Sequence, residues 1–136
     1  MASRLRLAIV RVARRMRQEA GADLSPTLAA ALGTIDRHGP LTPSELAEIE
    51  RVQRPTATRI VGRLDELELI QRTTDPQDGR SFLITASPAG RRLLRQLRGR
   101  KNAYLARRLR DLEAGEVETL ARAATILEDV LERERR

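Results

Sequence analysis

The segment from residue 41 to residue 90 constrains the fold of this chain most, because its hydrophobic period changes from helical to extended and back. Thr42 and Glu45 have the spacing of a capping box, and Leu41 and Leu46 have the spacing of a hydrophobic staple across the same helix start. A short helix is therefore predicted to begin after Thr42. Its residues predicted to face a core are Leu46, Ala47 and Ile49.

A second helix is predicted to begin near Pro55, because proline suits a first turn and disfavours helical geometry in the residue before it. Arg54 would then be the cap, and arginine caps poorly, so an anion such as a DNA phosphate could bind the first amides. The inward stripe comprises Ala57, Ile60, Val61, Leu64 and Leu67, while the outward face carries Thr56, Arg59 and Arg63, with Gln53 and Arg54 just before it. The alternative interpretation is a solvated arginine face on a helix that only packs.

Two extended segments follow, from Leu69 to Thr73 and from Ser81 to Thr85, joined by a charged turn that contains Asp78 and Gly79. Such a hairpin forms a wing, whose tip would project Arg80 into a DNA minor groove. Asp78 is predicted to shape the turn and to orient Arg80 through a charge-assisted hydrogen bond. An ordinary surface hairpin is the alternative, which the preceding pair of helices disfavours.

Helix, turn, helix and wing in this order describe a winged helix-turn-helix, which indicates DNA binding. The wing also resembles the signature of the MarR family of bacterial transcription regulators: an Asp-x-Arg tip, a Leu-Thr pair, and glycine at the start of the next helix. Asp78, Arg80 and Gly90 match that signature, while Ala86 and Ser87 replace its leucine and threonine. Ser87 can still cap the following helix, whereas the alanine removes a core leucine from the wing.

Helices are also predicted before this module. The first runs from residue 4 to about residue 19 and stops at Gly21, and the second runs from Ser25 to His38, with Gly39 in a left-handed position after it.

After the wing, two long helices are predicted over residues 89–112 and 113–133. Long terminal helices expose apolar surface that one copy covers poorly, so self-association is expected. The predicted fold is mainly α, in the α+β class. It is a single MarR-like domain over residues 1–136, with a winged helix-turn-helix lobe over residues 25–90 and a helical dimerisation lobe formed by residues 1–22 and 91–136.

The resemblance, which covers nearly all of the chain, implies a homodimer that places two recognition helices on a palindromic operator. It further implies a repressor, less often an activator, that is released from DNA when a small aromatic or phenolic molecule binds between the two lobes. Tyr104 and Phe82 are the only side chains that could stack on such a molecule. A pocket of leucine and alanine, or no ligand at all, are the alternatives.

Charge is unevenly distributed along the chain, whose formal net charge is +7. Residues 40–86 carry six arginines against eight acidic residues, whereas residues 87–110 carry nine basic residues and no acidic one. DNA binding by the module would therefore depend on where individual arginines point. Arg91 and Arg92 lie where the helix dipole disfavours cations, so a DNA phosphate or a carboxylate is expected beside them. Carboxylates of the last helix are the expected partners of Arg107, Arg108 and Arg110.

The site residues divide into two roles. Contacts with base edges are predicted for Thr56, Thr58 and Arg59, because arginine can bridge the two acceptors of guanine. Phosphate contacts, which position a protein without specifying sequence, are predicted for Gln53, Arg54 and Arg63. Arg80 would read the width of the groove, and Asp78 would support it.

Other kinds of chemistry find little support in the sequence. With no cysteine, one histidine, no glycine-rich phosphate loop and no metal-ligand spacing, neither an enzyme nor a cofactor or metal site is expected. The arginine-rich N-terminus lacks the continuous apolar run of a signal peptide, which favours a cytoplasmic protein over a membrane-surface helix or a transit peptide. The alternative function is a winged-helix module that compacts DNA, or binds proteins, without sequence specificity.

Overall fold

The computed structural model describes residues 1–21 and 23–136; Ala22, the last residue of the predicted N-terminal dimerisation segment, lies outside the described residues. The elements are α1 (Ala2–Ala20), α2 (Pro26–His38), α3 (Pro43–Glu50), α4 (Arg54–Glu66), β1 (Ile70–Thr74), β2 (Phe82–Ala86), α5 (Pro88–Arg110) and α6 (Ala114–Glu134). The predicted mainly helical α+β fold is confirmed. The chain divides into two compact units, Met1–Lys101 and Asn102–Arg136.

The first two helices begin and end close to the predicted positions. α1 starts two residues earlier than predicted, and Gly21 follows its end with φ 91°, a left-handed value that suits glycine. Ala20 is the one residue of α1 that is buried. α2 has the predicted serine cap, because the Ser25 hydroxyl oxygen accepts a hydrogen bond from the Leu28 N–H at 3.3 Å.

Gly39 ends α2 in an extended conformation, with φ −68° and ψ 156°, so the predicted left-handed position is wrong. The residue before a proline favours extended geometry, and Pro40 follows through a cis peptide bond. Glycine is nevertheless required here. A Cβ at Gly39 would lie 2.5 Å from the Ile35 carbonyl oxygen and 3.1 Å from that of Ile84. The requirement comes from close backbone approach, which the sequence pattern could not show.

α3 begins with the predicted capping box. The Thr42 side chain accepts from the Glu45 N–H, the Glu45 carboxylate accepts from the Thr42 N–H, and both distances are 3.1 Å. Leu41 and Leu46 are buried, as expected of a staple. Ile49 is 47% exposed, so the prediction that it faces the core is wrong. It lies in the wall of an open groove described below.

α4 begins one residue earlier than predicted, and the assignment of Arg54 as its cap is wrong. Gln53 is the cap: its backbone is extended, and its carbonyl oxygen accepts the first helical hydrogen bond, from the Ala57 N–H at 3.0 Å. Arg54 is therefore already helical, and the proline occupies the second helical position. The inward stripe is buried at Ala57, Ile60, Val61 and Leu64, whereas Leu67 caps the C-terminus and is 38% exposed.

The wing is an antiparallel pair of strands in which Ile70 lies opposite Ala86 and Thr74 lies opposite Phe82. Both strands begin one residue later than predicted. A bridge outside the strands joins Leu41 to Ile84, with the Ile84 N–H donating to the Leu41 carbonyl at 2.8 Å. The start of α3 is thereby fixed to the base of the wing.

The core of the first unit forms where α2, α3, α4, the wing and the start of α5 meet. Its fully buried large side chains are Leu32, Ile35, Leu41, Leu46, Val61, Leu64 and Ile84. α6 buries none of its residues. In the part of the chain that the structure describes, no helix combines the length and the apolar composition needed to cross a bilayer.

Candidate nucleic-acid interface

The start of α4 has backbone donors without a helical acceptor. Gln53 makes no side-chain hydrogen bond to the first turn, and Pro55 has no N–H, so the donors at this end are the N–H groups of Gln53, Arg54 and Thr56. Backbone N–H groups and the positive end of the helix dipole both favour an anion there. The predicted anion-binding helix start is consistent with this geometry, although the cap residue is Gln53 and not Arg54.

The exposed face of α4 carries the other predicted contacts of this helix. Thr56, Arg59 and Arg63 follow the three-and-four spacing that puts side chains on one helix face. Arg59 and Arg63 are exposed, and Thr56 is half-buried. The opposite face packs into the core, so the backbone of α4 is held while these side chains point outward.

Two of the predicted contacts already have partners within α4. The Thr58 hydroxyl donates to the Arg54 carbonyl oxygen at 3.0 Å, which leaves the hydroxyl oxygen as an acceptor for a base amino group. The Arg63 guanidinium lies 3.1 Å from the Glu66 carboxylate. Both members of that ion pair are more than half exposed, so the pair is weak, and a phosphate can compete for the arginine.

The tip of the wing is shaped by two aspartates that accept backbone hydrogen bonds. Asp75 Oδ1 accepts from the Gln77 N–H at 2.9 Å, and Asp78 Oδ1 accepts from the Arg80 N–H at 3.0 Å. Asp78 therefore shapes the turn as predicted, but its hydrogen bond holds the main chain of Arg80 and not the guanidinium. The Arg80 side chain projects from this turn into solvent.

Arg72 fixes the wing to the end of α4. Its guanidinium lies 3.2 Å from the Asp65 carboxylate and 4.5 Å from the centre of the Phe82 ring. The arginine thus bridges an acidic residue of α4 and an aromatic residue of β2. The sequence did not single out this role, because Arg72, Asp65 and Phe82 belong to three different elements and meet only in the folded chain.

Ser87 joins the wing to α5. Its hydroxyl donates to the Glu68 carbonyl oxygen at 2.7 Å and accepts from the Gly90 N–H at 3.0 Å, so it caps α5 as predicted. Arg91 donates to the Ala86 carbonyl oxygen at 2.8 Å, which gives this arginine a partner within the chain. Together these contacts tie both ends of the hairpin to the first turn of α5.

Gly62, which the sequence pattern did not single out, is half-buried in α4, three residues after Arg59 and four after Thr58. A Cβ at this position would meet nothing within 4 Å, so packing does not require glycine. A glycine inside a helix costs about 1 kcal/mol relative to alanine. A glycine inside a predicted helix is therefore the feature of the sequence that could have pointed to this position. In the structure it leaves the helix backbone without a side chain between Arg59 and Arg63.

A groove of about 1120 Å³ opens on the first unit beside α2 and α3. Its buried floor includes Leu24, Leu94 and Leu97. The charged residues along it are Arg14, Arg17, Arg37, Arg98, Lys101 and Glu50. Among the described residues that line it, none is aromatic: Phe82 lies under Arg72, and Tyr104 lies under Arg108.

Comparison with known proteins gives consistent results. The model of the MarR family matches residues 24–82. An HTH-type transcriptional regulator of Mycobacterium bovis is 34% identical over 128 residues, which cover 93% of this chain and 90% of the relative. A solved structure described as a transcriptional regulator of Pseudomonas aeruginosa is 32% identical, with a TM-score of 0.86 and coverage of 96% of this chain and 92% of that one.

A more distant structure, FabT of Streptococcus pneumoniae in complex with DNA, shares the fold with a TM-score of 0.74, 18% identity, and coverage of 98% of this chain and 99% of that one. The family match falls on the helix-turn-helix and most of the wing, and the M. bovis relative extends the similarity to nearly the whole chain. The chain therefore belongs to the MarR family and is a transcription regulator with a winged helix-turn-helix.

Proposed function

We propose that this regulator binds double-stranded DNA sequence-specifically as a homodimer and represses transcription from a palindromic operator. The observation that carries the proposal is the arrangement of α4. Its uncapped start, the half-buried Thr56 and the exposed Arg59 and Arg63 offer phosphate and base contacts on one surface. The DNA complex of FabT, which shares the fold, supports DNA as the partner.

Apolar residues exposed on the terminal helices support the homodimer. On α1 they include Leu5, Leu7, Ile9, Val10 and Val12, and on α6 they include Leu120, Ile126, Leu127, Val130 and Leu131. Apolar surface of this extent favours association. A twofold dimer would place two copies of α4 about one turn of DNA apart, which a palindromic operator matches.

A single aspartate in α6 tests the dimer. We expect Leu127→Asp to weaken self-association by at least ~100-fold, because each dimer would bury two carboxylates in an apolar contact. Light scattering across a dilution series should then report monomers at micromolar concentration, and operator binding should weaken in parallel. Thr125→Asp adds the same charge on the other side of α6 and should leave the dimer intact. If the Leu127→Asp variant remained dimeric, α6 would not belong to the proposed interface.

The wing arginine gives a test of the minor-groove contact. We expect Arg80→Ala to lower operator affinity and to relax a preference for A·T pairs flanking the site, because a guanidinium is attracted by the negative potential of a narrow minor groove. Anisotropy titrations with A·T-flanked and G·C-flanked operators measure both effects. Gln77→Ala changes the same exposed tip without removing a charge. Unchanged affinity and flank preference in Arg80→Ala would contradict the assignment.

The groove beside α2 and α3 is the proposed place for a small effector that releases the protein from DNA. Its basic side chains and leucine floor suit an organic anion with an apolar body, and the absence of aromatic side chains among its described lining residues argues against ring stacking as the basis of binding. Thermal shifts with a panel of aliphatic and aromatic carboxylates test this part. Without any shift, ligand release is dropped from the proposal and DNA binding stands.

Selection of genomic DNA fragments by the purified protein tests the function itself. The best fragment is titrated by fluorescence anisotropy against unrelated competitor at fixed salt. We expect a palindromic site, bound by two copies with ~10³-fold or greater preference over the competitor. Equal binding of all fragments would instead favour a DNA-compacting module, and no binding at moderate salt would favour a protein-interaction module.

A further inference from the structure

A buried hydroxyl in α2 holds the last residue of α3. Thr34 is 3% exposed, and its hydroxyl donates a hydrogen bond to Oε1 of Glu50. The two residues are 16 positions apart, so this is a contact between helices. A threonine hydroxyl buried this deeply needs a partner, and a carboxylate is the strongest acceptor that a side chain can supply.

Glu50 is also directly connected to the start of α4. α3 ends at Glu50, Arg51 follows with left-handed φ 56° and ψ 45°, and Val52 donates from its N–H to the Ala47 carbonyl oxygen at 3.0 Å. Gln53 is then already the cap of α4. The connection is short, and the N–H groups of Arg51 and Val52 both donate to carbonyls of α3, so a displacement of Glu50 would be passed on to the first turn of α4.

Packing alone does not hold the Glu50 side chain. Glu50 lines the large groove on one side and a smaller cavity of about 360 Å³ on the other, which it shares with Val52 and Ile60. Space on both sides permits other rotamers of the carboxylate. The basic residues that α1 and α5 contribute to the groove would attract it away from α2. The Thr34 hydrogen bond is the observed contact that selects one position.

We propose that Thr34 and Glu50 are positioning residues for DNA recognition: their hydrogen bond holds the end of α3, and with it the first turn of α4, in the arrangement that binds the operator. This inference rests on the proposed DNA-binding function. It adds a connection between the groove, whose wall contains both residues, and the helix that reads DNA. Neither residue contacts DNA in this proposal, so the effect on binding is transmitted through the turn at Arg51.

The test removes the hydrogen bond while preserving shape. We expect Thr34→Val, which replaces the hydroxyl with a methyl group, to lower operator affinity about tenfold while leaving binding to unrelated DNA unchanged. Thr34→Ser retains the hydroxyl and should restore operator affinity to within about twofold. Thr125→Val removes an exposed hydroxyl from α6, far along the chain from this contact, and should behave as the wild type. Operator and unrelated DNA are titrated by anisotropy under identical salt.

A double-mutant cycle separates the hydrogen bond from the charge. Glu50→Gln keeps an oxygen acceptor and should bind the operator nearly as the wild type does, whereas Glu50→Ala should resemble Thr34→Val. The double variant Thr34→Val, Glu50→Ala should lose no more than either change alone, since both remove one contact. Thermal unfolding of every variant identifies a loss caused by misfolding. If Thr34→Val unfolds the protein, Thr34→Ala removes the same hydroxyl without adding a methyl group in its place, and the same loss of operator affinity is expected of it.

Any of three results would overturn the inference. In the first, Thr34→Val binds the operator as tightly as the wild type. In the second, its losses on operator and unrelated DNA are equal. In the third, the effects of the two single changes are additive. Failure of the proposed function looks different, because the wild-type protein would then show no preference for any fragment.

Discussion

Arg59→Ala is expected to lower affinity for the operator by at least ~30-fold while changing affinity for unrelated DNA much less. Arg59 lies on the exposed face of α4, next to the bare backbone at Gly62. A bidentate arginine–guanine contact contributes ~1–3 kcal/mol of discrimination, and the proposed dimer carries the change twice. Anisotropy titration of operator and competitor measures the ratio of the two affinities.

A matched control distinguishes base reading from simple loss of charge. Arg135→Ala removes the same charge beyond the end of α6, where the arginine is exposed and pairs only with nearby Glu132 among the contacts described. It should leave the operator preference unchanged. If Arg59→Ala weakened binding equally on all sequences and reduced the salt dependence by about one phosphate contact per protomer, Arg59 would bind phosphate and the assignment to a base edge would be wrong.

The second large effect concerns the joint between the wing and α5. Gly90→Ala is expected to destabilise the protein by ~1–3 kcal/mol or more, because a Cβ at Gly90 would overlap the carbonyl oxygen of Leu69 and touch Leu32. The obstruction is backbone, and it could be relieved only by moving β1 away from α5. Chemical or thermal unfolding measures the loss, and operator affinity should fall as well, because the same movement displaces the wing.

Gly99→Ala is the matched control, since it makes the same change in the same helix. A Cβ there would meet nothing within 4 Å, so the substitution should stabilise the protein by ~0.5–1 kcal/mol. The two variants are thus expected to change the free energy of unfolding in opposite directions. Equal stability of Gly90→Ala and the wild type would show that the wing can shift without cost, which would contradict a rigid joint.

Helix starts could be predicted from the sequence because a cap depends on residues within one turn of each other. The Ser25 cap and the Thr42 and Glu45 capping box were each predicted from their spacing, and both have the expected hydrogen bonds. The cap of α4 was misassigned by one residue. There, the restraint that Pro55 places on Arg54 was outweighed by the helical hydrogen bond that Gln53 accepts, which only the folded backbone reveals.

Features that depend on residues distant in the chain could not be predicted in this way. The need for glycine at Gly39 comes from the carbonyl of Ile84 as well as from its own helix. Ile49 fits the apolar period of α3, yet it lies in the wall of the groove. It is the last residue but one of this eight-residue helix, and the chain changes direction at Arg51. Periodicity identifies which face is apolar, but it does not show where neighbouring elements stop covering that face.

The candidate site shows the same division. Residues on one surface of α4 follow from helical spacing, so the sequence is enough to group them. The contact of Arg72 with Asp65 and Phe82, and that of Thr34 with Glu50, join separate elements. The spacing of neighbouring residues in the sequence does not predict such contacts. Residues that share one helix face were thus easier to predict than contacts between separate elements.

The terminal helices α1 and α6 bury almost none of their residues, so under the proposed dimer their stability would depend on protein concentration. Of the 19 residues of α1 only Ala20 is buried, and none of the 21 residues of α6 is. Helices in proteins are stabilised mostly by packing of one face, so packing against a second copy would supply most of the stability of α1 and α6. Under the proposed dimer, dissociation would release two copies whose terminal helices melt. The concentration of the protein in the cell would then determine both the folding of these helices and the occupancy of the operator, through the equilibrium between monomer and dimer.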